Sequence, residues 1–257
     1  MIDTHCHLNH DKFYDNPEKY IAEAMDKGVE AFLVVGYDLK SSRRAAALAN
    51  RFSNVYAAVG IHPTDIKSRG ENDLQEIEKM LDLSKVVGYG EIGLDYYWDK
   101  NEAEQKAQKE FFIKQIETAN RHRKPIIVHT REAAYDTHKL LVDNPPKYGG
   151  IMHCYSGSVE MVSNYVGLGF YISLGGPVTF VNAKTPKEVA RATPADRLLV
   201  ETDSPYLAPH PLRGQQNEPS YLPLILAEIA SLRGIEEKAL DKLTTENFKR
   251  LFGLAKI

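Results

Sequence analysis

The feature that most constrains the fold is a rhythm. Short apolar runs recur at intervals of roughly 20 to 40 residues, the length of a βα unit. They are Ile2, Ala31 to Val35, Val55 to Ile61, Val86 to Tyr89, Ile126 to Val128, Ile151-Met152, Phe170 to Ile172 and Leu198 to Val200. Many are rich in Val and Ile and are too short for helices, which suits strands buried on both faces of a parallel sheet. Amphipathic stretches separate them. Asn16-Pro17 offers an N-cap and a first-turn proline, Tyr20, Ile21, Ala24 and Met25 form one apolar stripe, and Gly28 ends that helix. Ser41 or Ser42 can cap the next helix, and Phe111 to Ile116 mark a long fourth one. Asn144-Pro145-Pro146 stops the fifth. Near the end, Tyr221 to Leu232, Glu236 to Leu243 and Thr244 to Phe252 read as three helices.

Strand and helix alternating eight times predict an α/β fold, a closed (β/α)8 TIM barrel. The 257 residues are the usual length for one such barrel. No Gly/Ser linker or low-complexity segment divides the chain, so residues 1–257 are expected to form a single domain. An open doubly wound sheet would scatter the histidines described next. Hydrophobic residues at 43% and charged residues at 26% leave room for a large core and argue against disorder. The formal net charge of −3 gives no global basic footprint, so any nucleic acid must be held by a local patch or by metal ions. Only Cys6 and Cys154 are cysteines, which suggests a reducing compartment rather than a disulfide framework. The start, Met1-Ile2-Asp3-Thr4-His5, carries charge where a signal peptide would carry its apolar stretch, so none is expected, and no apolar run approaches the roughly 18 residues of a membrane span. The expectation is a cytoplasmic protein with no membrane association and no evident obligate protein partner.

The chemistry lies at the strand ends. His5 and His7 leave the first strand, His62 follows the third in Gly60-Ile61-His62-Pro63, and Glu91 follows the fourth. His129 ends the fifth strand, His153 the sixth, and Asp203 follows the eighth. In a barrel those ends converge on one face, where active sites are found. Side chains two apart on a strand face the same way, so His5 and His7 can reach one metal while Cys6 points elsewhere. His5, His7, His129 and His153 with Glu91 and Asp203 give four imidazoles and two carboxylates. That set suits two divalent ions with a bridging carboxylate, and Glu91, central in strand order, is assigned the bridge. Imidazole and carboxylate without thiolate favour Zn, Mg, Mn, Fe or Co over a structural cysteine zinc site.

A lone histidine at a strand end is more often a hydrogen-bonded core or surface residue than a ligand. Five of the nine histidines at strand exits, with two acids, is a different matter. His10, His122, His138 and His210 are left outside the centre, with His10 and His210 in mouth loops. Cys6 and Cys154 are expected to face the barrel wall as small buried residues. Gly90, Gly93 and Gly175-Gly176 read as tight turns rather than phosphate cradles. Arg131, two past His129, shares its face and can contact phosphate; a surface ion pair is its plain alternative. The long stretch from Tyr206 to Tyr221 carries His210, Arg213, Gln215, Gln216 and Asn217, overhangs the mouth and can stack and anchor a single strand. Arg121, Arg123 and Lys124 precede the fifth strand and belong to the opposite face.

At these motifs the sequence resembles the TatD family of metal-dependent deoxyribonucleases. The matching segments are Ile2 to Leu8, Gly60 to Pro63, Gly90 to Tyr96, Ile127 to Arg131, His153 to Gly157, Glu201 to Leu207 and the tail Glu246 to Gly253. The resemblance spans essentially the whole chain, and no metal position departs from it. It implies the barrel fold and metal ligands at His5, His7, Glu91, His129, His153 and Asp203, with His62 as an active-site residue. It implies metal-dependent hydrolysis of DNA phosphodiesters, often from the 3′ end, with single-stranded DNA or 3′ ends as substrate. The implied catalytic roles fall on Asp203, His62 and Glu91, and Arg131, Tyr206 and Arg213 are the expected substrate contacts. Fold and ligands do not fix the substrate. The alternative is a metal-dependent ester or amide hydrolase, such as an aminoacyl-tRNA deacylase or a small-molecule amidohydrolase, and a third is a non-catalytic metal-binding scaffold.

Overall fold

Each apolar run becomes a strand in a computed structural model that describes residues 1–68 and 71–254. The strands are β1 (Ile2–Cys6), β2 (Ala31–Val35), β3 (Val55–Val59), β4 (Val86–Asp95), β5 (Ile126–Arg131), β6 (Gly150–Met152), β7 (Phe170–Leu174) and β8 (Leu198–Val200). They form one eight-stranded sheet in sequence order, and every neighbouring pair is parallel. The helices between them are α1 (Pro17–Met25), α2 (Leu39–Arg51), α3 (Glu71–Met80), α4 (Glu102–Arg121), α5 (Ala134–Asp143), α6 (Glu160–Gly167) and α7 (Lys184–Ala192), followed by α8 (Leu222–Arg233) and α9 (Glu237–Phe252). This is the TIM barrel that the alternation predicts. Among the described residues no helix is long and apolar enough to cross a membrane.

Strand alternation divides the core in two. Ala31, Leu33, Val35, Tyr56, Ala58, Ile127, Ile151 and Leu199 pack together inside the barrel, while Phe32, Val34, Val55, Ala57, Val59, Ile126 and Val128 pack outward with the helices. Both sets are buried, so the strands read as continuous apolar runs. The seam between β1 and β8 is sealed at its carboxyl end. Thr4 Oγ1 donates to Val200 O (2.8 Å), Asp203 N to His5 O (2.9 Å) and His7 N to Ser204 O (2.8 Å). The buried Asp3 carboxylate adds a brace, accepting from Thr202 N (2.9 Å) and Thr202 Oγ1 (2.6 Å). Burial pushes the Asp3 carboxyl up to about 7 against those hydrogen bonds. The seam therefore fixes Asp203 beside His5 and His7.

Four local expectations are corrected. Glu91 does not follow β4 but lies within it, because the strand runs on to Asp95 through Gly88, Gly90 and Gly93. Gly90 and Gly93 are therefore not turns. A Cβ on Gly90 would meet Ile127 Cβ at 2.6 Å, and one on Gly93, whose φ is +143°, would meet His129 O at 2.0 Å. These glycines let β4 and β5 approach where two site residues emerge. Asp38, rather than Ser41 or Ser42, caps α2, accepting from Ser41 N (2.6 Å) in a reciprocal capping box. The last two expected helices are one, α9, because Thr244 Oγ1 returns to Leu240 O (3.1 Å) and nothing between Leu243 and Thr245 breaks the chain. The buried Phe248 of α9 joins the barrel-interior cluster, with Leu251 and Phe252 packed against it, at the end opposite the histidines. Arg121 and Lys124 lie at that end as expected, Arg121 pairing with Glu78 (2.9 Å) and Lys124 reaching Val86 O (2.5 Å).

Candidate metal centre

The carboxyl ends of six strands deliver the polar side chains to one cavity of about 630 Å³, lined by His7, His62, Glu91, His129, His153 and Asp203 among others. His5 lies beneath it, fully buried. His5 Nε2 and His7 Nε2 are 3.2 Å apart, as the His-x-His spacing on β1 requires. His5 Nε2 is 3.7 Å and His7 Nε2 3.4 Å from Asp203 Oδ1. Glu91 divides its two oxygens. Its Oε2 faces His5 Nε2 (3.5 Å) and His7 Nε2 (3.8 Å), while its Oε1 faces His129 Nδ1 (3.0 Å) and His153 Nε2 (3.0 Å). His62 Nε2 approaches that same Oε1 at 3.6 Å. Ligand atoms of His5, His7 and Asp203 form one compact group; those of His5, Glu91 and His153 and those of His62, Glu91 and His129 form two more.

The outward ring nitrogens decide what the inward ones can do. His7 Nδ1 lies 2.8 Å from Val35 O, His129 Nε2 3.1 Å from Asp95 Oδ2, and His153 Nδ1 3.0 Å from Glu201 Oε1. Each acceptor receives an N–H hydrogen bond from its imidazole, so the neutral ring turns a lone pair inward. His5 is the exception, since its Nδ1 has no partner among the described residues and its ring stacks on His153 at 3.9 Å. Inward lone pairs beside inward carboxylates repel unless a positive charge sits among them. A proton can serve. Burial lowers the affinity of His153 for one, but Glu91 and Glu201 outweigh it and raise its pKa well above the ordinary value. His129 is raised through Asp95 and Glu91, and His7 through Asp203 and Glu91, in both cases against burial. Burial alone would raise Glu91 and Asp203, but the surrounding imidazoles hold both carboxyls below their usual range. A divalent cation meets the same demand with the hard and borderline donors it prefers, so the donor set fits a metal.

A family model described as TatD related DNase matches residues 2–253. The chain belongs to this family. A metal-dependent hydrolase of Bacillus subtilis, YabD, is 44% identical over 98% of both chains. A Shigella flexneri protein named as the 3′–5′ ssDNA/RNA exonuclease TatD is 32% identical over 99% of this chain and 100% of its own. The crystal structure of the TatD homologue YJJV from Escherichia coli superposes with a TM-score of 0.94 at 29% identity, covering 99% of this chain and 98% of that one. The chain is thus a TatD-family metal-dependent hydrolase on a TIM barrel.

Two site residues escaped the sequence reading. Asp95 and Glu201 are buried acids that orient His129 and His153. Asp95 Oδ1 also accepts from Tyr97 N (2.9 Å) and Trp98 N (3.2 Å). Burial works against that carboxylate, yet His129 and the Trp98 N–H keep its pKa low. The one signal the sequence offers is for Asp95, which stands an even step from Glu91 on β4; Glu201 and Asp203 lie past the end of β8, where strand alternation no longer applies. Cys6 is buried as expected, its thiol 3.6 Å from Leu33 O. Cys154 instead lines the cavity: the chain turns just after β6, with φ +40° at Cys154, and its N–H donates to Glu201 Oε1 (2.7 Å).

The expected substrate contacts are spread out. Arg131 lines the cavity, its guanidinium carbon 3.7 Å above the Tyr97 ring. Tyr206 lines the other side, 48% exposed and edge-on to His7. Arg213 packs over the Phe180 ring at 4.5 Å and is not among the lining residues. Asn217 is fully buried and ties Thr202 O (2.7 Å) to Tyr206 O (2.6 Å), a loop brace rather than a ligand-facing group. His10 stands edge-on to Tyr206, and His138 against Tyr165 on the helical layer.

Proposed function

We propose that this chain hydrolyses phosphodiester bonds of nucleic acid, single-stranded DNA or 3′ ends foremost, with two divalent cations held by His5, His7, Glu91, His129, His153 and Asp203. The observation that carries the reading is the division of Glu91: one oxygen toward His5 and His7, the other toward His129 and His153. A carboxylate so placed suits a bridge between a cation beside Asp203 and a cation beside His129. Zn, Mg, Mn, Fe and Co all suit the donors. Membership in the TatD family and likeness to the Shigella exonuclease support a nucleic-acid substrate. Bound divalent cations acidify water and neutralise charge on phosphoryl oxygens.

The remaining work falls to side chains. Asp203, on the cavity wall, orients the attacking water and accepts its proton. Burial and the nearby His129 hold the His62 pKa at about 3, so its ring is neutral at working pH. His62 Nδ1 accepts from Thr64 N (3.2 Å), which leaves Nε2–H to point into the site. His62 therefore donates a hydrogen bond to a phosphoryl oxygen and carries no positive charge there. Arg131 contributes a fixed positive charge on the rim, suited to phosphate. Tyr206 borders the opposite side.

The test is a substrate panel. Pure protein is incubated with single-stranded DNA, duplex DNA, RNA and an aminoacyl-tRNA under Mg, Mn and Zn, beside an Asp203→Ala control. Single-stranded DNA is cut, and the variant loses about 10²–10⁴-fold in rate, as expected for a group that handles the proton. An ester or amide cleaved with no nucleic acid cut overturns the nuclease reading, and equal cleavage by the variant assigns the activity to a contaminant.

A further inference from the structure

Trp98 is the only tryptophan in the chain, and it is 65% exposed on the loop that follows β4. A large ring left in water costs hydrophobic free energy, so its surroundings matter. Its neighbours are a ring and a cation. Tyr97 stands edge to face with it, centroids 4.7 Å apart and planes at 86°. The Arg131 guanidinium carbon lies 3.7 Å from the Tyr97 centroid and 5.8 Å from that of Trp98. Among the described residues Arg131 has no carboxylate partner, so its charge is open to a ligand. Trp98 and Arg131 both line the cavity that holds Glu91, His129 and Asp203.

The backbone that carries the rings is also held in place. One oxygen of Asp95 accepts from the backbone of Tyr97 and Trp98, and the other faces His129. The same buried carboxylate therefore sets a metal-facing imidazole and the start of the aromatic loop. A loop whose backbone is anchored to the reaction centre in this way places its rings where something extending from that centre can meet them.

We infer that Trp98, backed by Tyr97 and Arg131, is a stacking platform for a nucleobase adjoining the phosphodiester at the metal centre. The inference rests on the nucleic-acid reading above and places base contact on the β4–α4 loop, across from the Tyr206 side. A flat aromatic face stacks any base, and an adjacent guanidinium adds a cation against base or phosphate, which gives affinity for single strands without sequence choice. A base paired in a duplex has no free face to offer, so the platform favours unpaired ends.

The metal-loaded protein tests this with its own fluorophore. Titration with a single-stranded phosphorothioate oligodeoxynucleotide should quench Trp98 emission saturably, and the matching duplex should do so at about tenfold higher concentration, roughly the worth of one stacked base. With a cleavable single strand, Trp98→Ala should raise KM about tenfold, the loss falling on KM rather than kcat, and Trp98→Phe should recover most of it. Tyr135→Ala, which removes a 78% exposed ring outside the cavity, serves as the surface control. Cleavage by wild type with no emission change and KM within twofold in Trp98→Ala overturns the platform and leaves the nuclease standing. Saturable quenching without cleavage keeps the platform and overturns the nuclease. Neither binding nor cleavage overturns both.

Discussion

At the scale of single residues, the imidazoles do their work through what stands behind them. Glu201 holds His153 and the Cys154 N–H with one oxygen while its other oxygen has no partner among the described residues. Glu201→Gln keeps the shape but removes the charge that fixes the His153 ring. It should weaken metal binding about 10–100-fold, the usual loss when such a supporting carboxylate is removed. Calorimetric titration of the metal-free protein measures this, and an unchanged affinity would show that Glu201 does not set the ring. The ligand candidates themselves were legible because histidine is scarce and strand exits are few. Asp95 and Glu201 were not, because a buried acid within an apolar stretch reads as a motif residue until its partner ring is seen. Cys154 was misjudged because strand alternation lapses where β6 ends.

At the scale of elements, β4 and α9 carry separate burdens. β4 must deliver Glu91 and Asp95 while passing close to β5, and Gly93 permits it. Gly93→Ala combines a positive φ with a Cβ 2.0 Å from His129 O, so it should cost more than about 2 kcal/mol and disturb His129 as well. Thermal melts with metal analysis would show a lower Tm together with reduced metal content; a wild-type Tm would contradict the close approach. Phe248 of α9 is fully buried at the far end of the barrel. Phe248→Ala should cost about 3–5 kcal/mol by denaturant titration and leave the kcat of the folded fraction unchanged. The strands are readable from Val and Ile runs, yet the apolar pattern of β4 stops at Tyr89 because its glycines and Glu91 interrupt it. The two helices expected over Glu236 to Leu243 and Thr244 to Phe252 are one, because Thr244 bonds back within the helix rather than ending it.

At the scale of the whole molecule, the centre links folding to pH. In the metal-free protein the raised His7, His129 and His153 contribute stability that is fully present below the ordinary imidazole value of 6.5 and is lost as pH rises through their folded values. Asp3 acts in the same direction, losing its contribution between 3.8 and about 7. The lowered Glu91 and Asp203 contribute stability present above 4.5 and 3.8 that is lost on acidification. His62 adds to the acid-side loss, because below 6.5 the unfolded chain takes a proton that the folded ring accepts only near 3. A cation replaces the protons on the imidazoles, so metal affinity rises with pH. The Tm difference between metal-loaded and chelator-treated protein should widen from pH 5.5 to 8.5, and a gap that narrows would contradict the linkage. The barrel, with β1 closing on β8, was legible at this scale because one repeat explains the whole chain. The Asp3–Thr202 brace across that seam was not, since no local pattern pairs residues 199 positions apart.

If Glu91 joins two cation positions, its loss must show in metal stoichiometry. Glu91→Ala, purified with its native fold by circular dichroism and analysed for bound divalent metal after reconstitution, should fall from two ions per chain to one or none. Two tightly bound ions retained in the folded variant would contradict the bridge.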